Sequence, residues 1–165
     1  MRSEAETLCA LHTYGDMVRK ICIVHLKNQA DTEDIFQTVF LKYMISDVTF
    51  ENDQHEKAWI IRVTVNACKD LLKSFFRKRT VSLDELGSQF TQMDEEKREV
   101  LEAVLSLQEK YRDVVYLHYY EGYSAVEIAD ILKKKPNTVY TLLARAREQL
   151  KERLGGELYG SAAKR

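Results

Sequence analysis

The chain contains a single proline, Pro136, and that proline splits its most patterned stretch, Tyr120 to Leu154. Proline removes a backbone donor and disfavours helix in the residue before it, yet it suits the first turn of a new helix. The stretch therefore reads as two helices joined by a tight turn. The first opens on a capping-box spacing, Ser124 with Glu127, and continues through Val126, Ile128, Ala129, Ile131 and Leu132. Lys133, Lys134 and Lys135 interrupt it. From Asn137 the apolar pattern restarts, with Val139, Leu142, Leu143, Ala146 and Leu150 on one face and Arg145, Arg147, Lys151 and Arg153 on or near the other. Two short helices with the second presented to solvent form the helix-turn-helix plan, whose second helix can enter a major groove. A basic helical hairpin in a protein that never meets nucleic acid carries the same pattern, so the remainder of the chain has to decide.

One proline and six glycines in 165 residues favour long helices over a turn-rich β architecture. The expectation is an all-α chain of two small helical modules. Glu4 to Asn28 forms a first helix whose core face holds Leu8, Leu11, Met17, Val18, Ile21, Val24 and His25, with Gly15 a weak point. A link, Asn28 to Ala30, precedes a second helix from Asp31, its N-cap, to Ser46. That helix carries more apolar surface than one stripe needs: Ile35, Phe36, Val39, Phe40, Leu41, Tyr43 and Met44. Either it is buried on two sides or it offers apolar surface to a partner.

Asp47 to Glu56 is polar and loop-like, with Phe50 alone in it. Lys57 to Arg79 is a long helix with Trp59, Ile60, Val63, Ala67, Leu71 and Phe75 along one seam and Arg62, Asn66, Lys69 and Lys73 along another. It holds seven positive residues against Asp70 alone, with Arg77, Lys78 and Arg79 closing it. Thr80 to Lys97 reverses sign, with five carboxylates against Lys97, and reads as an acidic linker with a short helical turn at Ser82–Leu86. A second module opens near Glu96; a helix ends near Ser106, and Ser106 with Glu109 has the spacing to cap the next, which Gly122 stops. Lys133 to Arg153 again carries seven positives against Glu148 and Glu152. A net charge of −1 thus conceals two basic helices separated by an acidic segment. A basic helix beside an aromatic-bearing loop suits single-stranded nucleic acid, because phosphates attract Lys and Arg while unstacked bases need an aromatic platform.

Other chemistries find little footing. The sequence holds no GxSxG, P-loop, HExxH or GxGxxG pattern, and no enzymatic activity or cofactor is expected. Cys9, Cys22 and Cys68 include no CxxC pair, and Cys9 with His12 lacks the second pair that a zinc site requires. His118, between Leu117 and Tyr119, is read as packed or surface histidine. No signal peptide or uncharged apolar run of membrane length is seen, which suggests a cytoplasmic protein.

Three ordered blocks give the chain a resemblance that covers roughly residues 5 to 154. Asp31 to Leu41, Ala58 to Asp70 running into Arg77-Lys78-Arg79, and Leu107 to Leu154 (with Tyr120-Glu121-Gly122, Glu127-Ile128-Ala129 and Ala144-Arg145-Ala146-Arg147) resemble regions 2.2, 2.3–2.4 and 4 of a bacterial RNA polymerase sigma factor. The likeness is to the sigma-70 family in its extracytoplasmic function (ECF) type. It implies a region 2-like module at 4–79, a linker at 80–97, a region 4-like module at 98–154 and a tail at 155–165. It implies core RNA polymerase, promoter DNA and an anti-sigma factor as partners. Core polymerase would meet Asp34, Gln37, Phe40 and Leu41; the downstream (−10) element would meet Phe50, Trp59, Arg62, Asn66, Lys69 and Lys73. The upstream (−35) element would meet Lys135, Asn137, Thr138, Tyr140, Thr141 and Arg145. Two departures stand out. Lys133 and Lys134 occupy a turn where the family usually has Gly and an apolar residue, and Tyr140 and Leu142 stand where it usually has basic contacts. The rival readings are a stand-alone helix-turn-helix regulator and a helical adaptor with merely solvated basic faces.

Overall fold

The structure, a computed structural model, describes residues 1–75 and 94–155. The described residues are helical, without strands, and the chain divides into two compact units, Met1–Thr80 and Val81–Arg165. The Arg77–Arg79 cluster, the turn at Ser82–Leu86, residues 80–93 of the acidic segment and the tail beyond Gly155 lie outside the described residues, whereas Asp94, Glu95, Glu96 and Lys97 form the start of the second unit's first helix.

The first unit is a bundle of α1 (Glu4–Leu26), α2 (Gln29–Ile45) and α3 (Asp53–Phe75). Ser3 and Glu6 cap α1 reciprocally, and Lys27 ends it in a left-handed turn. The helix after it begins two residues earlier than Asp31. Asn28 is its N-cap and accepts from the Asp31 N–H at 3.0 Å, so Asp31 sits inside the first turn, near the positive helix end. α3 also starts early, at Asp53 rather than Lys57: the Asn52 side chain accepts from the His55 N–H at 2.9 Å, and Asp53 and Glu56 fill the first turn.

The core is built from Val18, Ile21, Cys22, Val39, Ile60, Ile61 and Cys68, all closed to solvent or nearly so. On α3 the buried seam runs through Ile60, Ile61, Thr64, Val65, Ala67 and Cys68. It keeps Ile60 and Ala67 of the expected Trp59–Ile60–Val63–Ala67–Leu71–Phe75 seam but is otherwise rotated from it, because α3 packs against both α1 and α2. Trp59, Val63 and Leu71 are only half-buried. Two expected core residues of α1, Leu8 and Leu11, are instead exposed at 57% and 37%. Gly15 has a packing reason: the Phe36 ring lies 3.4 Å from where its Cβ would stand, and Arg19 stacks on the same ring at 3.8 Å.

Glu56 ties the three helices together. Its carboxylate accepts from the Tyr14 hydroxyl of α1 at 3.2 Å and from the Tyr43 hydroxyl of α2 at 2.5 Å. Burial first, then the Glu56 charge and hydrogen bond, raise both phenols, Tyr43 up to about 12. A phenol whose folded value exceeds its unfolded one, near 10, stabilises the fold fully below about pH 10. That contribution is lost as pH rises through the folded value.

The second unit holds α4 (Glu95–Ser106), α5 (Glu109–Val115), α6 (Ala125–Leu132) and α7 (Pro136–Leu154). The capping box expected at Ser106 does not form. Ser106 closes α4 by donating to the Ala103 carbonyl at 2.5 Å, and Gln108 becomes the N-cap of α5. α5 runs on as a π-helical turn, Tyr116–Tyr120, and Gly122 at φ 78° redirects the chain. The Ser124–Glu127 capping box forms as expected, at 3.2 and 2.8 Å. Between α6 and α7, Lys133 adopts φ 56°, and the Lys134 N–H donates to Ala129 O at 2.8 Å. This is a Schellman-type stop, and its left-handed position strongly favours glycine.

Two outcomes are expected. Lys133→Gly should stabilise the second unit by roughly 0.5–1 kcal/mol, seen as a higher denaturant midpoint. Tyr43→Phe should flatten the loss of stability of the full chain between about pH 10 and about pH 12, measured by denaturant titration.

Candidate nucleic-acid interface

Three surfaces carry the residues singled out from the sequence, two in the first unit and one in the second. In the first unit, Arg62, Asn66, Lys69 and Lys73 recur at four, three and four residues along α3, opposite the Ile60–Ile61–Cys68 seam. Asn66 and Lys73 are exposed; Arg62 and Lys69 are half-buried, as expected of long stems lying along the helix. Phe50 lies at the N-terminal end of this stripe, and it is not alone. Its ring stacks near-parallel on Tyr43 with centroids 6.1 Å apart and meets Trp59 at 5.7 Å and His55 at 5.5 Å, both edge-on. The Arg2 guanidinium covers Tyr43 at 4.4 Å and Phe50 at 4.7 Å. The loop therefore presents a fixed, half-exposed aromatic corner. Sequence reasoning found Phe50 and Trp59 but missed Arg2, Tyr43 and His55 as its supports. Arg2 and Tyr43 are 41 residues apart, and no local pattern connects them.

On α2, Asp34, Gln37 and Leu41 share one exposed edge, which Ile45 extends; Leu41 and Ile45 are each 56% exposed. Phe40 does not belong to that edge. It is 4% exposed and packs on Phe36 with ring centroids 4.9 Å apart. The apolar surplus on α2 thus has two destinations: Phe36, Val39, Phe40 and Tyr43 face the core, and Leu41 and Ile45 face outward.

In the second unit, Val139, Leu142, Leu143, Ala146 and Leu150 bury the inner face of α7 against α4, α5 and α6. Lys135, Asn137, Thr138, Tyr140, Thr141 and Arg145 are all exposed on the remaining face. Leu142 is a core residue, so only Tyr140, 55% exposed, stands at the surface where a basic contact was expected. Thr141 turns its hydroxyl back to the Asn137 carbonyl at 3.0 Å. Arg147 donates from Nε to the Tyr119 hydroxyl at 2.6 Å, which fixes it against the π-helical turn. No described helix is long and apolar enough to cross a membrane.

The second unit is therefore a helix-turn-helix module, and the first a three-helix bundle with a polar, partly basic stripe. Comparison with known proteins agrees with that division. Residues 11–80 match the family described as Sigma-70 region 2, and residues 97–150 match Sigma-70, region 4. The chain is similar to the ECF RNA polymerase sigma factor SigW of Bacillus subtilis, 25% identical over 86% of this chain and 84% of that one. It is 28% identical to the RNA polymerase sigma factor SigV of the same organism, over 84% of each. Among solved structures, the sigma factor RpoE of Bartonella quintana, in complex with the anti-sigma factor NepR, shares the fold. Its TM-score is 0.73 at 20% identity, covering 92% of this chain and 98% of that one.

The chain belongs to the sigma-70 family of RNA polymerase sigma factors, in its ECF type. The function that follows is promoter-directed initiation of transcription.

If α7 lies along DNA, Arg145→Ala should weaken duplex binding and lower the slope of log affinity against log salt by about 1, one phosphate contact's worth. Fluorescence anisotropy across a salt series measures it.

Proposed function

We propose that the two units divide one task between them: binding core RNA polymerase, then reading and opening promoter DNA. The exposed edge of α2, Asp34, Gln37 and Leu41, extended by Ile45, docks on core polymerase. Two apolar side chains left exposed among the described residues, beside polar neighbours, support this reading, since a docked partner would bury them. Phe40 acts behind that edge, holding α2 in place from the core.

The region 2-like module, 4–79, takes the downstream (−10) element. Phe50 and Trp59 offer a stacking platform, and Arg62, Asn66, Lys69 and Lys73 track the strand. Strand opening is then a binding reaction: stacking worth about 1–3 kcal/mol per captured base offsets the cost of leaving the duplex. The region 4-like module, 98–154, lays α7 on the upstream (−35) duplex through Lys135, Asn137, Thr138, Tyr140, Thr141 and Arg145. With Tyr140 in place of a cation, this contact depends more on hydrogen bonding and less on charge. The segment 80–97 links the modules and 155–165 forms a tail. The chain supplies no bond chemistry, which belongs to the polymerase, and acts in the cytoplasm where the polymerase is. An anti-sigma factor that covers Leu41 and Ile45 would hold it inactive, in keeping with the NepR complex of the Bartonella relative.

The single observation behind this reading is the coexistence of an outward apolar edge on α2 with two helices, α3 and α7, that each turn polar and basic side chains to solvent. Run-off transcription tests it. Core polymerase with this chain should give discrete transcripts that core alone does not, and Leu41→Asp with Ile45→Asp should abolish them along with core association. Duplex binding without any core association would instead identify a stand-alone helix-turn-helix regulator; neither activity would leave a helical adaptor.

A further inference from the structure

The loop between α2 and α3, residues 46–52, has no regular structure, yet it holds Phe50 in a defined place. One side chain accounts for that. The Arg2 guanidinium donates from Nη1 to Tyr43 O at 2.9 Å and to Ser46 O at 2.7 Å, and from Nη2 to Val48 O. Tyr43 lies in the last turn of α2 and Ser46 is its C-cap, so their carbonyls are at the end where a helix leaves acceptors without intrahelical partners. A cation there is further favoured by the helix dipole. The Arg2 backbone is pinned too, its N–H donating to Met44 O at 2.8 Å. The flat face of the same guanidinium lies against Tyr43 and Phe50.

We infer that Arg2 is a positioning residue for DNA opening: it holds the 46–50 segment and the Phe50 ring in the geometry that receives an unstacked base. This rests on the reading of Phe50 as a stacking platform. Three carbonyls from six residues of chain converge on one planar group, which sets the curvature of the loop as it leaves α2. The contact with both rings sets the tilt of Phe50 while leaving it half-exposed. A loop ordered in advance does not have to lose conformational freedom when the base arrives, so affinity that would go into ordering is retained. Lysine is no substitute. It is a point charge without the fork that spans several carbonyls, and without a planar face to lie on two rings.

The test uses the full-length chain assembled with core polymerase. The probe is a fluorescein-labelled single-stranded oligonucleotide taken from a random pool by selection on the wild-type holoenzyme. Affinities for the probe and for core are read for Arg2→Ala, Arg2→Lys, Phe50→Ala and Arg2→Ala with Phe50→Ala. Expected are losses of about tenfold in probe affinity for both Arg2 variants and for Phe50→Ala, with core affinity unchanged. The double variant should be no weaker than Phe50→Ala alone, because Arg2 acts through that ring. Wild-type probe binding by the Arg2 variants beside a weakened Phe50→Ala would overturn the role of Arg2 and leave the platform reading intact. Wild-type binding by Phe50→Ala would remove the platform reading itself. Additive losses in the double variant would make Arg2 an independent DNA contact, and a parallel fall in core affinity would make it a general fold support; either result overturns the inference.

Discussion

The carboxylate of Glu56 is the point at which the first unit's three helices meet. Tyr14 of α1 and Tyr43 of α2 donate to its two oxygens, while Glu56 itself lies in the first turn of α3. Hydrogen bonds to a charged acceptor contribute roughly 1.5–3 kcal/mol each, more than a typical neutral pair. Their position matters beyond their strength. A helix anchored at its first turn and packed along Ile60, Ile61, Thr64 and Cys68 has one allowed rotation. That rotation sends Arg62, Asn66, Lys69 and Lys73 outward as a single stripe. Tyr43 serves twice, since its hydroxyl meets Glu56 and its ring backs Phe50 and Arg2. The core clasp and the aromatic corner are therefore parts of one arrangement.

The second unit solves a simpler problem with fewer parts. α7 is held by five apolar residues on its inner face and by Arg147 against Tyr119, and its remaining positions are mostly exposed among the described residues. Its direction is set by the turn from α6, where Lys133 occupies a left-handed position that glycine would fill with less strain. A cation in that turn gives up some stability and adds charge beside the N-terminal end of α7. That charge stands close to Tyr140, which occupies a position where a basic residue is usual in the family. The strained turn and Tyr140 are thus close neighbours in sequence.

Much of this was legible from residue order alone. The helices of the described residues, the Ser124–Glu127 cap, the start of α7 at Pro136 and its buried face follow from local chemistry: capping, proline geometry and apolar period. The errors share a different cause. Asn28 and Asn52 act as caps one turn ahead of the apolar pattern, so both helices began earlier than the hydrophobic signal. Trp59 and Phe40 exchanged roles, one toward the surface and the other into the core, because α3 and α2 each pack against two neighbours and a single stripe does not describe them. Arg2 was invisible because its partners, Tyr43, Ser46 and Val48, are more than 40 residues away and are met through their carbonyls, which carry no side-chain signature. Contacts of backbone to distant side chain are where reading by period stops.

On the proposed function, core polymerase carrying this chain would open duplex DNA by trapping bases on the Phe50 corner. Permanganate oxidation of unpaired thymines measures that directly, on a duplex fragment retained by the holoenzyme. Expected is a short window of reactive thymines that appears only when core polymerase and this chain are both present, and that closes again with Phe50→Ala while the fragment stays bound. Reactive thymines that persist unchanged with Phe50→Ala, or a bound duplex that stays fully protected with the wild-type chain, would contradict it.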